Sequence, residues 1–266
     1  YEMTEPVQTA QRLAGADVVI TNKVLITDQI MAQTALKLIC VSATGTNNID
    51  MQAAQARGIA VKNAAGYSTN SVVQQTFASL FALINALGYY ADYGSSGKWC
   101  ESEIFTHIDA PISEIYGKEF GVIGLGQIGA KVARIAAAFG ANVRYYSTSG
   151  ANDNGEFARV SLDALLRACD IISIHAPLNP KTAGLIGEAE LAKMKEGAIL
   201  MNFGRGGIVD EDALARAVDE RGLRTALDVL QTEPMRADHP LLRVKNRRNV
   251  VITPHIAWAS IEARKR

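Results

Sequence analysis

A glycine-rich turn between an apolar run and a helix-like segment constrains the fold of this chain more than any other feature. Phe120 to Ile123 is apolar, and it leads directly into Gly124-Leu-Gly126-Gln-Ile-Gly129. The helix-like segment 128–139 follows, and a second apolar run occupies 142–146. A strand, a tight turn and a helix N-terminus in this order can bind a pyrophosphate, because the glycines allow the turn, the approach of the phosphates and close helix packing. We therefore predict a dinucleotide site formed by Gly124, Gly126, Gln127, Ile128 and Gly129, with a purely structural turn as the alternative.

The composition argues against several classes of protein. Of the 266 residues, 48% are hydrophobic and 20% are charged, which is typical of a globular protein with room for two domains. The formal net charge of +0 gives no field that would attract nucleic acid or an anionic membrane, so neither partner is expected. The three cysteines, Cys40, Cys100 and Cys169, have no metal-ligand spacing, so no metal is expected. No apolar run is long enough for a membrane span and no signal peptide is evident, which predicts a cytoplasmic location.

Strands alternate with helices along most of the sequence, which predicts parallel sheets with right-handed crossovers. The order predicts a substrate domain of residues 1–90 and 257–266 and a dinucleotide-binding domain of residues 91–256. One long helix over 70–90 is expected to connect them. Residues 94–117 show no periodicity, and we interpret them as an arm that contributes to a homodimer.

Polar side chains follow several of the predicted strands, at the edge where ligands bind in open α/β sheets. A cation, a carboxylate and two imidazoles at this edge fit hydride transfer to a carbonyl, for which the protein must hold an anionic substrate and deliver a proton. The residues alone do not decide which histidine donates the proton. Two further histidines, His107 and His239, lie in polar loops and are expected to be exposed. The strand-end residues are Ser147, His175, Arg205, Glu233 and His255.

Several ordered motifs resemble the D-2-hydroxy acid dehydrogenase family. They are Ala43 to Asp50, Ile174-His-Ala-Pro-Leu178, Asn202-Phe-Gly-Arg205-Gly-Gly, Leu227 to Pro234 and Thr253-Pro-His255. The resemblance implies a Rossmann-type doubly wound nucleotide-binding domain, a smaller flavodoxin-like α/β substrate domain and a cleft between them. It also implies NAD(P)-dependent interconversion of a 2-keto acid and its D-2-hydroxy acid.

The resemblance assigns roles to individual residues. Arg205 would bind the substrate carboxylate and carbonyl oxygen, His255 would donate the proton, and Glu233 would hold and charge His255. The backbone near Thr44 and Gly45 would share the carboxylate. Asp228 would hold the nicotinamide carboxamide. The other residues expected at the cofactor are Ser147, Thr148, His175, Ala176, Pro177, Thr182, Asn202, Phe203, Gly204 and Ala257.

Residues Thr253 to Ser260 are most similar to glycerate dehydrogenases, also called hydroxypyruvate reductases. Hydroxypyruvate or glyoxylate is therefore the expected keto acid, with Trp258 either capping the substrate pocket or simply packing on the core. The alternatives are a dinucleotide-sensing, corepressor-like binding protein and, less favoured, a formate dehydrogenase, whose family carries glutamine where Glu233 stands.

The sequence departs from the family pattern at three places. Ser147 stands where an acidic residue usually binds the ribose 2′-hydroxyl, so NAD is expected but NADP stays open. Phe203 stands where smaller residues are common in the family, and it is expected to narrow the part of the cofactor site that holds the nicotinamide. Family members also begin with an additional strand and end in a longer helix, so the chain is expected to be trimmed at both ends.

Overall fold

Parallel β-sheets flanked by helices form both parts of the chain. The computed structural model describes residues 1, 3–152 and 155–266, and it divides into two units, Tyr1–Tyr67 and Ser68–Arg266. The first unit has three parallel strands, β1 (Val18–Thr21), β2 (Leu38–Val41) and β3 (Ala60–Asn63), in the order β1-β2-β3. Its helices are α1 (Pro6–Arg12), α2 (Asp28–Ala32) and α3 (Met51–Ala56). The core between sheet and helices includes Ile26, Met31 and Ile39.

The second unit is built on a seven-stranded parallel sheet. Its strands are β4 (Glu119–Ile123), β5 (Asn142–Tyr146), β6 (Ala158–Arg159), β7 (Ile171–Ile174), β8 (Ile199–Asn202), β9 (Arg224–Leu227) and β10 (Val250–Ile252). Their spatial order is β10-β9-β8-β7-β4-β5-β6, so the chain proceeds from β4 outward in both directions. This order confirms the predicted Rossmann-type sheet, and the crevice beside the carboxyl ends of β4 and β7 is its topological switch point.

Helices cover both faces of this sheet. They are α4 (Thr69–Ile84), α5 (Leu87–Ser95), α6 (Gln127–Ala138), α7 (Leu162–Ala168), α8 (Glu188–Lys193), α9 (Glu211–Arg221) and α10 (Ile261–Lys265). Short 3-10 helices occupy Lys98–Glu101, Pro240–Leu242 and Arg247–Asn249. Successive strand residues alternate between two cores, since Val122 packs with α4 and α6 whereas Ile123 packs with α7, α8 and α9. Burial on both faces explains why these strands are almost wholly apolar in sequence.

The predicted long helix over residues 70–90 is wrong. Ala86 adopts a left-handed backbone conformation (φ 47°), which ends α4 at Ile84 and separates it from α5. The unit boundary also differs from the predicted one, because α4 buries Val72, Phe77 and Leu80 in the same core as β4 and α6. Residues 68–90 and 257–266, assigned to the substrate domain from the sequence, therefore group with the second unit.

Several features of the described residues bear on the classes that the composition argued against. In that part of the chain no single helix is long and apolar enough to cross a membrane. Helices α4 and α5 together have the length and the composition of a membrane span, but a bend of 67° separates them. Nor do three or more His, Cys, Asp or Glu side chains gather there as a metal site. All three cysteines are free thiols, and burial raises the pKa of Cys169 to about 12, which makes its thiol inert near neutral pH.

Candidate active site

The glycine turn after β4 has the shape of a phosphate-binding loop. Gly124 has φ 92°, and a Cβ there would lie 3.0 Å from the Cα and N atoms of Ala176. A Cβ on Gly129 would lie 2.0 Å from the Gly124 carbonyl oxygen, so these two glycines are required by the fold itself. A Cβ on Gly126, by contrast, would meet nothing within 4 Å among the described residues. The space left there, at the N-terminus of the 12-residue helix α6, fits the pyrophosphate of a dinucleotide.

The end of β5, where the adenosine ribose of a dinucleotide lies in this fold, carries no acidic side chain. Ser147 is buried, and no described residue bonds its hydroxyl. Arg144 forms an ion pair with Glu119 on the neighbouring strand. Arg159 of β6 donates from Nη1 to the Gly150 carbonyl oxygen (3.0 Å), so the structure brings a guanidinium to the turn 147–150 from a strand that the sequence analysis missed.

The loop after β7 shows why His175 is a poor proton donor. Its Nε2 bonds the Ser173 hydroxyl (2.8 Å), and its Nδ1 is out of reach of solvent, with no partner in the described chain. Burial lowers the pKa of His175 to about 3, so the ring is uncharged at neutral pH. Thr182, predicted at the cofactor, is fully buried and donates its hydroxyl to the Pro177 carbonyl (2.6 Å), which fixes the loop Ala176–Pro177.

The loop after β8 presents Arg205 on a tightly bonded turn. Asn202 is buried, its Oδ1 accepts the Gly204 N–H (3.0 Å), and its Nδ2 donates to the Arg205 carbonyl (2.8 Å). Arg205 is half-buried, and its Nη1 donates to the Gly204 carbonyl (2.9 Å). Phe203 is buried in the core that faces α4 and α6. The side chain of Asn202 therefore shapes the arginine turn from within the protein.

His255 and Glu233 form the imidazole–carboxylate pair expected of a proton donor and its partner. His255 Nδ1 lies 2.7 Å from Glu233 Oε2, and the two side chains are 24% and 34% exposed. Glu233 Oε1 accepts the N–H of Leu230 (3.0 Å). Because Glu233 occupies Nδ1, Nε2 is the nitrogen that can exchange a proton with a substrate. Of the two histidines left open by the sequence, His255 has the geometry of an acid.

Asp228, at the end of β9, holds the loop that carries His255. It is 3% exposed, and it accepts hydrogen bonds from the Thr253 hydroxyl, the Ile256 N–H (3.0 Å) and the Ala257 N–H (2.9 Å). Burial raises the pKa of Asp228, and the three donors oppose that shift. His255 has a left-handed backbone (φ 53°), a conformation that costs energy for a residue with a side chain. No local sequence pattern indicates that Asp228 stabilises this turn.

The remaining predicted site residues have simpler surroundings. Ala257 is buried, and its carbonyl accepts the Ser71 hydroxyl (2.6 Å), while Trp258 is half-buried. Thr44 and Gly45 follow β2 in the first unit. The Thr44 hydroxyl donates to the Ala64 carbonyl (3.2 Å).

The expected exposure of the other two histidines is wrong. His239 is 7% exposed and bonds Glu211 through Nε2 (2.8 Å). His107 is half-buried and stacks on Tyr93, with ring centroids 3.7 Å apart. Both lie in polar stretches of sequence, whose composition does not indicate that other parts of the chain cover these side chains.

The chain matches the model of the D-isomer specific 2-hydroxyacid dehydrogenase, NAD binding domain, over residues 77–257. The chain belongs to this dehydrogenase family. A putative 2-hydroxyacid dehydrogenase of Haemophilus influenzae is 42% identical over 99% of the chain and 84% of its own length. Glycerate dehydrogenase of Methylorubrum extorquens is 39% identical over 99% of the chain and 83% of its length. Hydroxypyruvate reductase of Blautia hydrogenotrophica is 37% identical over 99% and 82%.

Solved structures of similar proteins agree with the family assignment. The TT0316 protein from Thermus thermophilus superposes with a TM-score of 0.88 at 32% identity, over 99% of the chain and 83% of its own. An acyclic imino acid reductase in complex with NADPH superposes with a TM-score of 0.86 at 31% identity, over 99% of the chain and 82% of its own. D-Lactate dehydrogenase from Aquifex aeolicus, complexed with NAD and lactic acid, superposes with a TM-score of 0.84 at 29% identity, over 96% of the chain and 80% of its own. This dehydrogenase chain is thus an oxidoreductase that uses a nicotinamide dinucleotide.

Two alanine substitutions in the glycine turn separate folding from cofactor binding. Gly126→Ala is expected to keep the melting temperature but weaken the binding of reduced cofactor at least about tenfold, because its Cβ occupies the approach of the pyrophosphate. Gly129→Ala is expected to lower the melting temperature itself, because its Cβ collides with the Gly124 carbonyl oxygen. Thermal melts and titration of nicotinamide fluorescence measure both effects. Unchanged cofactor affinity in Gly126→Ala would rule out this turn as the pyrophosphate site.

Proposed function

We propose that this dehydrogenase reduces a short 2-keto acid, hydroxypyruvate or glyoxylate, to the corresponding hydroxy acid. The observation that carries the proposal is the bonded pair of His255 and Glu233, which follows β9 and β10 at the sheet edge that also carries the glycine turn. A bound reduced nicotinamide supplies the hydride. The protein must then bind an anionic substrate and provide one proton.

Arg205 and His255 divide these two tasks. The guanidinium of Arg205 binds the substrate carboxylate and carbonyl oxygen with parallel N–H donors. As C2 of the keto acid accepts the hydride, its oxygen takes the proton from His255 Nε2, which gives the hydroxyl group without any further reactant. Glu233 holds the imidazole through Nδ1, which leaves Nε2 for the substrate.

Asp228 fits a second role at the cofactor. A carboxylate has about four acceptor sites, and three are taken by Thr253, Ile256 and Ala257. The remaining capacity suits one N–H of the nicotinamide carboxamide. Asp228 therefore links the cofactor to the loop of His255.

The size of the keto acid is proposed from the relatives and from Trp258. Two of the similar proteins are named glycerate dehydrogenase and hydroxypyruvate reductase. In this proposal Trp258, three residues after His255, closes the pocket around a short polar side chain. None of the three similar sequences reported above is described as a sensor, and the corepressor-like alternative has no support from them.

NAD is the proposed cofactor, with NADP as the poorer one. Ser147 is neutral, Arg144 is engaged with Glu119, and Arg159 uses Nη1 on the Gly150 carbonyl. These side chains provide no dedicated clamp for a 2′-phosphate, and they also lack the carboxylate that would repel one. Solved relatives bind NAD in one case and NADPH in another.

A homodimer is proposed from residues 94–117, the segment that the sequence analysis interprets as an arm. Its backbone is tied to α5, because the hydroxyl of Tyr89 bonds His107 Nε2 (2.8 Å) and that of Tyr90 donates to the Ala110 carbonyl (2.6 Å). The arm nevertheless exposes large apolar side chains, including Phe105 (89%) and Ile108 (84%). An ordered apolar surface of this kind is typical of a protein interface.

The homodimer is tested by sedimentation equilibrium. The wild-type protein should give twice the chain mass of 28.5 kDa, and Ile108→Glu should give the mass of a single chain, because a charge would then lie in the apolar interface. A wild-type monomer would contradict the proposal.

The proton donor is tested with His255→Ala. With hydroxypyruvate and reduced cofactor, kcat is expected to fall by roughly 10²–10⁴, the range typical of a lost general acid. The affinity for reduced cofactor, measured by nicotinamide fluorescence, should stay within about twofold, because His255 does not form the glycine turn. Wild-type turnover in the variant would exclude His255 as the donor, and equal loss of cofactor affinity would indicate a folding defect instead.

A further inference from the structure

A second carboxylate–imidazole pair is linked to the proposed catalytic pair through the backbone of the loop after β9. We infer that Glu211 and His239 are positioning residues, which hold the peptide between Leu230 and Gln231 and through it both Arg205 and Glu233. The inference rests on the proposed function. It concerns two side chains that the reaction itself does not use.

The pair is buried and fully engaged. Glu211 Oε2 lies 2.8 Å from His239 Nε2, and the two side chains are 11% and 7% exposed. His239 Nδ1 accepts the N–H of Leu241, so the ring proton lies on Nε2 and is donated to Glu211. The other oxygen, Glu211 Oε1, accepts the N–H of Gln231 (2.7 Å). Histidine thereby fixes the carboxylate, and the carboxylate fixes one peptide of the loop after β9.

That peptide supports the arginine turn. A Cβ on Gly206 would lie 1.9 Å from the Leu230 carbonyl oxygen and 2.6 Å from the Gln231 nitrogen. The residue next to Arg205 therefore packs directly on the peptide whose N–H Glu211 holds. Any rotation of this peptide plane moves its carbonyl into or away from Gly206, and the position of Arg205 changes with it.

Leu230, which supplies the carbonyl of that peptide, also contacts the partner of His255 through its own N–H. Leu230 donates its N–H to Glu233 Oε1, and Glu233 Oε2 bonds His255 Nδ1. Hydrogen bonds thus run from His239 through Glu211 and the Leu230–Gln231 backbone to Glu233 and His255. Substrate binding and proton donation, the two tasks of the proposed reaction, therefore meet at Leu230, whose carbonyl packs against Gly206 and whose N–H bonds Glu233.

The start of α9 offers a comparison that isolates this role. Asp210 caps the helix by accepting the Ala213 N–H (2.9 Å), and Asp212 is exposed. All three acidic residues favour the positive end of the helix dipole, but Glu211 is the one whose side chain bonds Gln231 and His239. Removing the charge of Asp212 therefore weakens the interaction with the helix dipole, as removing Glu211 does, but it leaves the hydrogen bond to Gln231 intact.

The test combines Glu211→Ala, Glu211→Gln and Asp212→Asn with the background His255→Ala. Glu211→Ala is expected to lower kcat for hydroxypyruvate by roughly 100-fold, the order of loss that a misplacement of about 1 Å produces. Glu211→Gln keeps an oxygen for the Gln231 N–H and should recover part of that loss, whereas Asp212→Asn should match the wild type. In His255→Ala, the further loss caused by Glu211→Ala should shrink to a few-fold, because a misplaced site costs little once its proton donor is gone.

Each outcome has a separate meaning. Activity of Glu211→Ala and Glu211→Gln equal to that of Asp212→Asn would overturn the inference while leaving the proposed function intact. An equal loss in the wild-type and His255→Ala backgrounds would also overturn it, since a merely less stable protein loses the same fraction of active molecules in both. If Glu211→Ala does not fold, Glu211→Gln in the two backgrounds decides. A wild type that binds cofactor but reduces no keto acid would instead overturn the proposed function.

Discussion

The buried carboxylate of Asp228 is the interaction on which the proposed site depends most. A carboxylate away from water is costly unless its oxygens accept hydrogen bonds, and here the donors come from the chain between Thr253 and Ala257. Meeting that requirement wraps this loop around the end of β9 and keeps His255 in its left-handed conformation. The bonds to Asp228 compensate for the strained backbone, and the imidazole reaches Glu233 as a result. A buried carboxylate at the end of β9 thus fixes the position of a half-buried histidine.

The sheet topology brings the other parts to the same edge. Because every strand is parallel and the order reverses at β4, the glycine turn, the His175 loop and the Arg205 turn all follow carboxyl ends of adjacent strands. Close backbone contacts then set their spacing, since Gly124 packs on Ala176 and Gly206 packs on the Leu230 carbonyl. Small residues at these contacts are therefore part of the site geometry, although they take no part in proton transfer.

Sequence reasoning recovered the features that depend on local pattern. The glycine motif, the apolar strands and the polar residues at their ends are visible in order along the chain, and the fold class follows from them. The features it missed depend on contacts between distant residues. Nothing local predicts that Ala86 turns left-handed, that Arg159 reaches Gly150, or that His239 is buried against Glu211. The residues alone did not separate the two candidate donors, His175 and His255, and the resemblance favoured His255. The structure adds that His175 is buried and uncharged, whereas His255 has a carboxylate partner.

The fate of the hydride is a direct test of the proposed reaction. Hydroxypyruvate is incubated with the chain and with NADH or NADPH that carries deuterium at both C4 positions of the nicotinamide, and the product is analysed by mass spectrometry and chiral chromatography. The proposed reaction predicts D-glycerate with one deuterium at C2, formed faster from NADH than from NADPH. Cofactor binding without deuterium in any product, or deuterated L-glycerate, would contradict it.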